Sequence, residues 1–250
     1  MMNKSETLSI HRTSADGDAP RFLRTYVDTK GNYLVAKRMF DIFFSTFFLL
    51  FIGSWLLPLL SIVIWIDSRG PLFFVQKRVG KSGRTFNCIK FRTMIVNKEA
   101  NNKQAEVNDT RITKVGKFLR NSSLDELPQF LNVVIGDMSI VGPRPHMHSD
   151  CIRFSSSVAG YKFRNFVKPG ITGLAQVKGF RGPTKDFESI FHRYQYDAFY
   201  VRNCNFWLDM RIIRKTAAQT IHFIFSKLSG NRPTEETANI KEELVPINAS

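Results

Sequence analysis

Residues 42–66 read IFFSTFFLLFIGSWLLPLLSIVIWI, twenty-five positions without one charged side chain. As straight helix the run extends about 37 Å at ~1.5 Å per residue, enough for a hydrocarbon core of about 30 Å. Buried helices of soluble cores are rarely so long and so free of polar breaks, so the run is read as a membrane helix. Gly53, Ser54 and Pro58 interrupt it. Pro58 removes one backbone donor and clashes with the carbonyl of residue 54, which predicts a bend there. Ser54 can help satisfy the freed backbone group in lipid. Both flanks are basic: Lys37 and Arg38 precede the run, and Arg69, Lys77, Arg78, Lys81 and Arg84 follow it. Positive charge marks the cytoplasmic side of a bilayer. A helix that enters, kinks and returns satisfies both flanks, whereas a straight span puts one of them outside. The re-entrant form is the expectation and the span its alternative.

The rest of the chain is strongly cationic. Its 250 residues carry a formal charge of +15, which implies an anionic partner: nucleic acid, an acidic membrane face or phosphorylated substrates. The surplus is local, with thirteen Lys/Arg against three Asp/Glu between Arg69 and Arg120. No nucleic-acid-binding module is recognisable, and the apolar run is foreign to such proteins. Cys88, Cys151 and Cys204 are too scattered for a zinc site or a disulfide framework, so reduced thiols are expected. Residues 1–36 read as a polar arm without a secretory signal; within it Phe22, Leu23, Tyr26 and Val27 among basic residues suggest a short surface helix. Residues 226–250 are polar and read as a disordered tail.

Downstream of the run, Leu72–Val75 and Thr85–Phe91 flank Gly80-Lys81-Ser82-Gly83 and predict a β-hairpin, with Lys90 and Arg92 on one face. Residues 97–109 are a loop or exposed helix. A helix is expected from Asp109 or Thr110 to Arg120, buried through Ile112, Val115 and Leu119, with Lys114 and Lys117 off that stripe. A second is expected from Ser123 to Ile135 with Leu124, Leu127, Leu131, Val134 and Ile135 as its apolar face. Ser139–Val141 reads as a short strand into Gly142-Pro143-Arg144-Pro145, where two prolines stiffen the backbone around one guanidinium. His146 and His148 lack a visible third ligand and read as ordinary polar residues. Residues 150–167 read as helix, and Lys168–Val177 as a glycine-rich loop into a strand. Asp186–Tyr200 and Phe206–Phe225 are further helices. The last carries Phe206, Trp207, Met210, Ile213, Ala217, Thr220 and Ile224 at helical spacing beside Arg211, Arg214 and Lys215. That pattern suits an interfacial helix and a core-packing one equally.

The chemistry points to Asp125-Glu126. Two adjacent carboxylates follow Lys114, Lys117 and Arg120, and Arg144 comes some twenty residues later. Fixed cations around a carboxylate pair suit reaction at a phosphate. Ser123-x-x-Glu126 is also a capping box, a purely structural use of the same residues. A non-enzymatic membrane scaffold would have no use for such a constellation.

In order, the sequence carries Lys37-Arg38-x-Phe40-Asp41, Gln76-Lys77-Arg78-Val79-Gly80, Lys90-Phe91-Arg92-Thr93-Met94, Asp109-x-Arg111-Ile112-Thr113-x-x-Gly116, Ser123-Leu124-Asp125-Glu126-Leu127-Pro128-Gln129, Gly136-Asp137-Met138-Ser139, Gly142-Pro143-Arg144-Pro145 and Pro169-Gly170-Ile171-Thr172-Gly173-Leu174. Over about residues 37–215 it resembles the monotopic phosphoglycosyl transferases, bacterial sugar transferases that initiate exopolysaccharide, O-antigen and glycoprotein glycan synthesis. The resemblance implies transfer of a sugar-1-phosphate from a UDP-sugar to undecaprenyl phosphate, through a covalent phosphosugar-aspartate intermediate and with Mg²⁺. It implies Asp125 as nucleophile and metal neighbour, Glu126 as metal partner, Arg120 and Arg144 as phosphate ligands, and Lys90 and Arg92 near the site. Arg144 as a mere brace of the fold stays an alternative. The implied location is the cytoplasmic face of the bacterial inner membrane. Anionic lipid is an added partner, a homodimer is an option and nucleic acid has no role. The implied fold is α+β and mainly helical: a kinked re-entrant membrane helix (37–68), a β-hairpin, and a small cytosolic catalytic domain (69–225) with interfacial amphipathic helices. Many members kink at a Ser-Pro pair; here Trp55 follows Ser54 and the nearest proline is Pro58, so the kink is expected about one turn later. Larger members add an N-terminal multi-span module, and this chain looks like the minimal form.

Overall fold

The computed structural model describes residues 30–96, 109–182 and 186–229. The expected surface helix near Phe22, the segment 97–108 and the tail beyond residue 229 lie outside the described residues. Helix α1 (Gly31–Phe48) continues through one π-turn (Leu49–Gly53) into α2 (Ser54–Asp67). Pro58 sits inside α2, and the irregularity lies upstream of it, where the wide turn lets the backbone absorb the lost donor. Together these residues make one helix, Gly31–Asp67, long and apolar enough to cross a membrane. Only 17 % of its most apolar window is buried, unlike the core helix of a soluble protein.

Its two sides differ. Phe43, Phe47, Phe51, Trp55, Leu59, Ile62 and Ile66 form a continuous exposed apolar stripe, spaced by three and four as a single helix face requires. On the other side Phe40, Phe44 and Phe48 pack on the domain core, with the Phe48 and Phe130 rings stacked at 4.1 Å. Leu57, Leu60 and Ile64 pack against Phe91 and Leu119. Both ends are also tied by polar contacts. Tyr33 and Lys37 each reach Asp209 at 2.7 Å, Arg38 donates to the Val133 carbonyl (2.6 Å), and Asp41 accepts from the Ile140 amide (3.1 Å). At the far end Asp67 accepts from the Val115 amide (3.2 Å).

The hairpin forms as its sequence predicts, with a longer first strand. Strands β1 (Phe73–Val79) and β2 (Thr85–Phe91) pair antiparallel from Phe73–Phe91 to Val79–Thr85. The reversal places Ser82 and Gly83 at φ 57° and 79°. Helix α3 (Lys114–Ser122) starts later than expected, because Thr113 caps it by accepting from the Gly116 amide (2.9 Å). A Cβ on Gly116 would collide with the Thr93 carbonyl, so this glycine lets α3 lie directly on the chain leaving β2. Then come α4 (Gln129–Ile135), β3 (Ser139–Val141), α5 (His148–Ser157), a 3₁₀ turn (Tyr161–Phe166), β4 (Gly170–Thr172), α6 (Leu174–Val177), α7 (Phe187–Asn203) and α8 (Phe206–Leu228).

Three expectations change. The glycine-rich stretch supplies β4, which pairs parallel with β3, and residues 174–177 turn helical rather than extended. Gly170 serves backbone packing, since its Cβ would meet the backbone of Gly142. The predicted helix over 150–167 ends at Ser157, where Val158 turns extended, and Gly160 at φ 74° leads into the 3₁₀ turn. In α8 the buried positions are Asp209 and Ile212, while Trp207 points outward. Asp209 is admitted to the interior because Tyr33, Lys37 and Tyr200 all meet its carboxylate. The core between these layers gathers Val133, Met138, Ile140, Val141, Val201 and Ile212.

Candidate active site

Ser123, at the end of α3, takes a left-handed conformation (φ 64°), uncommon for a residue with a side chain. The chain turns sharply there, and Leu124–Glu126 form a single 3₁₀ turn. Successive bonds from Glu126 to Ser123, Leu127 to Leu124, Phe130 to Leu127 and Leu131 to Pro128 keep the i→i−3 pattern until α4 is established. Pro128 has no amide hydrogen to give the Leu124 carbonyl, which favours the break between this turn and α4. The acid pair therefore stands on a tight turn between two helices, not in the first turn of an α-helix. Nor does a capping box form: the Ser123 hydroxyl has no hydrogen-bond partner among the described residues, and the Glu126 carboxylate turns to Lys90 and Arg144. The apolar face expected for α4 is also reversed. Phe130 and Val133 are buried, while Leu131, Val134 and Ile135 are exposed.

Glu126 Oε1 lies 2.9 Å from Lys90 Nζ and 2.8 Å from Arg144 Nη2. Lys90 arrives from β2, and Arg144 from the proline-flanked loop after β3. Burial pushes Glu126 up, but Arg144 and Lys90 outweigh it and hold its carboxyl well below the usual range. Asp125, 8 % exposed, makes no hydrogen bond or ion pair among the described residues. Burial and the neighbouring Glu126 charge push its carboxyl up to about 6, against the pull of Lys90, Arg144 and Arg120. Glu126 thus ionises first. Asp125 is a carboxylate with no hydrogen-bond or charge partner in direct contact among the described residues.

Arg120 donates to the Thr93 hydroxyl (2.6 Å) and feels the Asp125 charge. Arg92 is not brought into this group. Strand β2 ends at Phe91, and the Arg92 guanidinium donates to the carbonyls of Ser68 and Arg69, closing the end of α2. The motif reading passed over two arginines. Arg181 is near enough to Glu126 and Asp125 to feel their charge, with no hydrogen bond or ion pair of its own among the described residues. Arg78 is half-buried near Arg144 and donates to the Pro145 carbonyl (3.3 Å). Arg78 lay within a quoted motif without a role. Arg181 lies where no motif or periodicity marks it. His146 is buried with Nδ1 2.5 Å from the Tyr161 hydroxyl, and His148 is exposed at the start of α5.

No group of three or more metal-ligating side chains occurs among the described residues. The acid pair nonetheless suits Mg²⁺, which typically takes one or two carboxylates and completes its shell with substrate phosphates and water. The hard oxygens of Asp125 are uncommitted, and Glu126 is adjacent.

A family model described as bacterial sugar transferase matches residues 32–223. The UDP-glucose:undecaprenyl-phosphate glucose-1-phosphate transferase of Klebsiella pneumoniae is 48 % identical over 185 residues, covering 73 % of this chain and 39 % of the relative. A UDP-N-acetylgalactosamine-undecaprenyl-phosphate N-acetylgalactosaminephosphotransferase of Aeromonas hydrophila is 41 % identical over 157 residues, 62 % of this chain and 37 % of its own. The chain thus spans about two fifths of the length of these relatives. The exopolysaccharide production protein PSS of Rhizobium leguminosarum bv. phaseoli is 41 % identical over 193 residues, 75 % of this chain and 96 % of the relative. Matched over most of its length, with the apolar helix and the acid pair inside the match, the chain belongs to the bacterial sugar transferase family.

Proposed function

We propose that the chain transfers a sugar-1-phosphate from a UDP-sugar to undecaprenyl phosphate at a membrane surface, beginning the assembly of a glycan. The observation that carries this reading is Asp125: a buried, unpartnered carboxylate beside a Glu126 already held by two cations. An Asp125 oxygen attacks the phosphorus that bears the sugar. The bond to the bridging oxygen breaks, UMP leaves with that electron pair, and an acyl-phosphate links the sugar phosphate to Asp125. A phosphate oxygen of undecaprenyl phosphate then attacks the same phosphorus and returns the carboxylate, giving undecaprenyl-diphosphate-sugar. Arg120, Arg144 and Arg181 hold the phosphoryl oxygens and the departing UMP phosphate, where charge develops. Lys90 and Arg144 keep Glu126 ionised and fixed. Asp125 and Glu126 would hold Mg²⁺, which would supply charge neutralisation at the diphosphate. Two half-reactions let a water-soluble donor and a lipid acceptor use one site in turn.

The test is UMP release from a panel of UDP-sugars with undecaprenyl phosphate and Mg²⁺, together with intact mass after donor alone. One sugar is expected to support turnover and to leave a phosphosugar adduct on the protein. Turnover without any adduct under trapping conditions would replace the covalent route with direct transfer.

We further infer that Gly31–Asp67 enters and leaves the bilayer on its cytoplasmic face. Supporting this, both ends of the helix bond to the same domain, through Arg38 and Asp41 at one end and Asp67 at the other. Basic residues flank both ends, and the exposed Leu131, Val134 and Ile135 of α4 lie beside the carbonyls that Arg38 caps. A straight span would part the two ends. With Cys88, Cys151 and Cys204 replaced, Asn32→Cys and Lys81→Cys are expected to react with an impermeant maleimide from the same side of a sealed membrane. Labelling from opposite sides would make the helix a span.

A further inference from the structure

The buried stripe of α7 runs through Ile190, Arg193, Asp197 and Val201. Two ionisable groups one turn apart on a core-facing stripe are costly unless paired or used. Their contacts lead to two separate loops. Asp197 Oδ2 accepts from Arg164 Nε (3.0 Å) and Nη2 (2.8 Å), and Arg164 Nη2 also donates to the Arg144 carbonyl (2.6 Å). Arg164 and Asp197 are both almost wholly buried, with the guanidinium over the Tyr161 ring. Arg193 Nη2 donates to the Gly182 carbonyl (2.6 Å), the peptide next to Arg181. Its Nε finds no partner among the described residues. One helix face thus reaches the backbone of both arginine-bearing loops, at Gly182 directly from Arg193 and at Arg144 through the Arg164 that Asp197 holds, each at 2.6 Å.

We propose that Arg193 and Asp197 are positioning residues: Arg193 sets Arg181 through the Gly182 carbonyl, and Asp197 sets Arg144 through Arg164. Neither is asked to touch the reacting atoms. A misplacement of about 1 Å in a positioned group costs on the order of 10²-fold in rate, so two single bonds to carbonyls carry weight beyond their own strength. A buried ion pair is also a common structural brace, and the alternative is that Arg164–Asp197 and Arg193 only hold α7 in the core. The two differ in locality. A positioning contact loosens one loop when it is cut, and a core brace loosens the helix and everything packed on it.

The anion handled by the two loops is the diphosphate of the reading above, and the proposal rests on that reading for the anion alone. The first measurement needs no substrate: amide hydrogen exchange of the full chain in lipid nanodiscs, followed in peptides over 174–182 and 139–147. Arg193→Met is expected to raise exchange roughly tenfold in the first segment and leave the second unchanged, and Asp197→Asn to do the reverse. Exchange rising in both segments and through α7, or in neither, overturns the proposal. Where Arg193→Met folds poorly, Arg193→Lys keeps one donor and gives a smaller rise confined to the same segment; a rise elsewhere counts against the proposal equally. The second measurement is a double-mutant cycle on UMP release. Arg181→Met and Arg193→Met are each expected to raise KM for the UDP-sugar roughly tenfold, and the double variant to be no worse than Arg181→Met alone. Additive losses would mean that Arg193 acts independently of Arg181. A wild-type protein inactive on every UDP-sugar would sink the transferase reading and leave the exchange result to judge the positioning.

Discussion

Asp125→Asn is expected to abolish UMP release, by roughly 10³-fold or more, and at the same time to make the folded protein harder to unfold at pH 8. The loss of activity follows from the proposed role, because an amide cannot form the acyl-phosphate and nothing else on the turn replaces it. The gain in stability follows from the surroundings. Burial and the Glu126 charge raise the Asp125 carboxyl from 3.8 to about 6. A carboxyl raised on folding contributes stability that is fully present below its unfolded value and is lost as pH rises through its folded value. The ionised side chain is thus a liability above about pH 6, worth at most about 3 kcal/mol at ~1.36 kcal/mol per pKa unit. Asparagine removes the liability. Thermal unfolding in detergent with EDTA should show the variant's midpoint above wild type at pH 8, with the two converging towards pH 4. Near-wild-type UMP release by Asp125→Asn would remove Asp125 as nucleophile. Equal midpoints at both pH values would mean that the carboxyl is not perturbed by its site. An unpartnered buried charge kept at a cost in stability, at the one place where the proposed chemistry needs an anion, is what separates Asp125 from an acid that merely decorates a turn.

How much of this was legible beforehand depended on the range of the interaction. The apolar run, the hairpin and the acid pair are written locally: in an absence of charge, in β-rich runs around a Gly-Lys-Ser-Gly turn, and in adjacent carboxylates. Errors arose where a distant group decided the outcome. Glu126 fitted a capping box, but Lys90 and Arg144 offer its carboxylate charge as well as hydrogen bonds, and they win. The apolar stripe Leu131, Val134, Ile135 has the right spacing to face a core, yet it faces outward. Periodicity identifies an apolar face but not whether protein or lipid covers it. Lys90 and Arg92 share a strand face by parity, and parity lapses at the strand end, where Arg92 turns to the carbonyls of Ser68 and Arg69. Arg181 could not be found from sequence at all. Its closeness to Glu126 depends on the packing of α6 on α7 and on the bond from Arg193 to the Gly182 carbonyl, both long-range, and no local pattern records it.

Glu126→Gln is expected to damage both fold and function, with the opposite stability sign to Asp125→Asn. The glutamate carboxylate is the shared counter-charge of Lys90 and Arg144. A glutamine keeps one acceptor oxygen but no charge, so two cations are left facing each other in a largely buried site. Removing one partner of a buried pair typically costs about 3–5 kcal/mol; the half-open Arg144 and the retained acceptor bring the expectation to roughly 2–3 kcal/mol. The pH dependence separates this from general damage. Glu126 is held well below its ordinary value on folding, so its contribution is fully present above about 4.5 and lost as pH falls through its lower folded value. The deficit of Glu126→Gln in EDTA should therefore be largest near pH 5 and shrink below pH 4.5. A second consequence reaches Asp125. The Glu126 charge is the largest electrostatic influence raising Asp125, so in Glu126→Gln the destabilising ionisation of Asp125 should move to lower pH than about 6. UMP release should fall by about 10²-fold or more even though Asp125 is then more fully ionised, because Arg144 has lost the group that fixes it and the proposed Mg²⁺ has lost a ligand. A Glu126→Gln protein whose stability deficit is the same at pH 3 and pH 5 would show that its ion pairs with Lys90 and Arg144 do not carry the cost. One that turns over at the wild-type rate would show that an ionised Asp125 suffices without its neighbour.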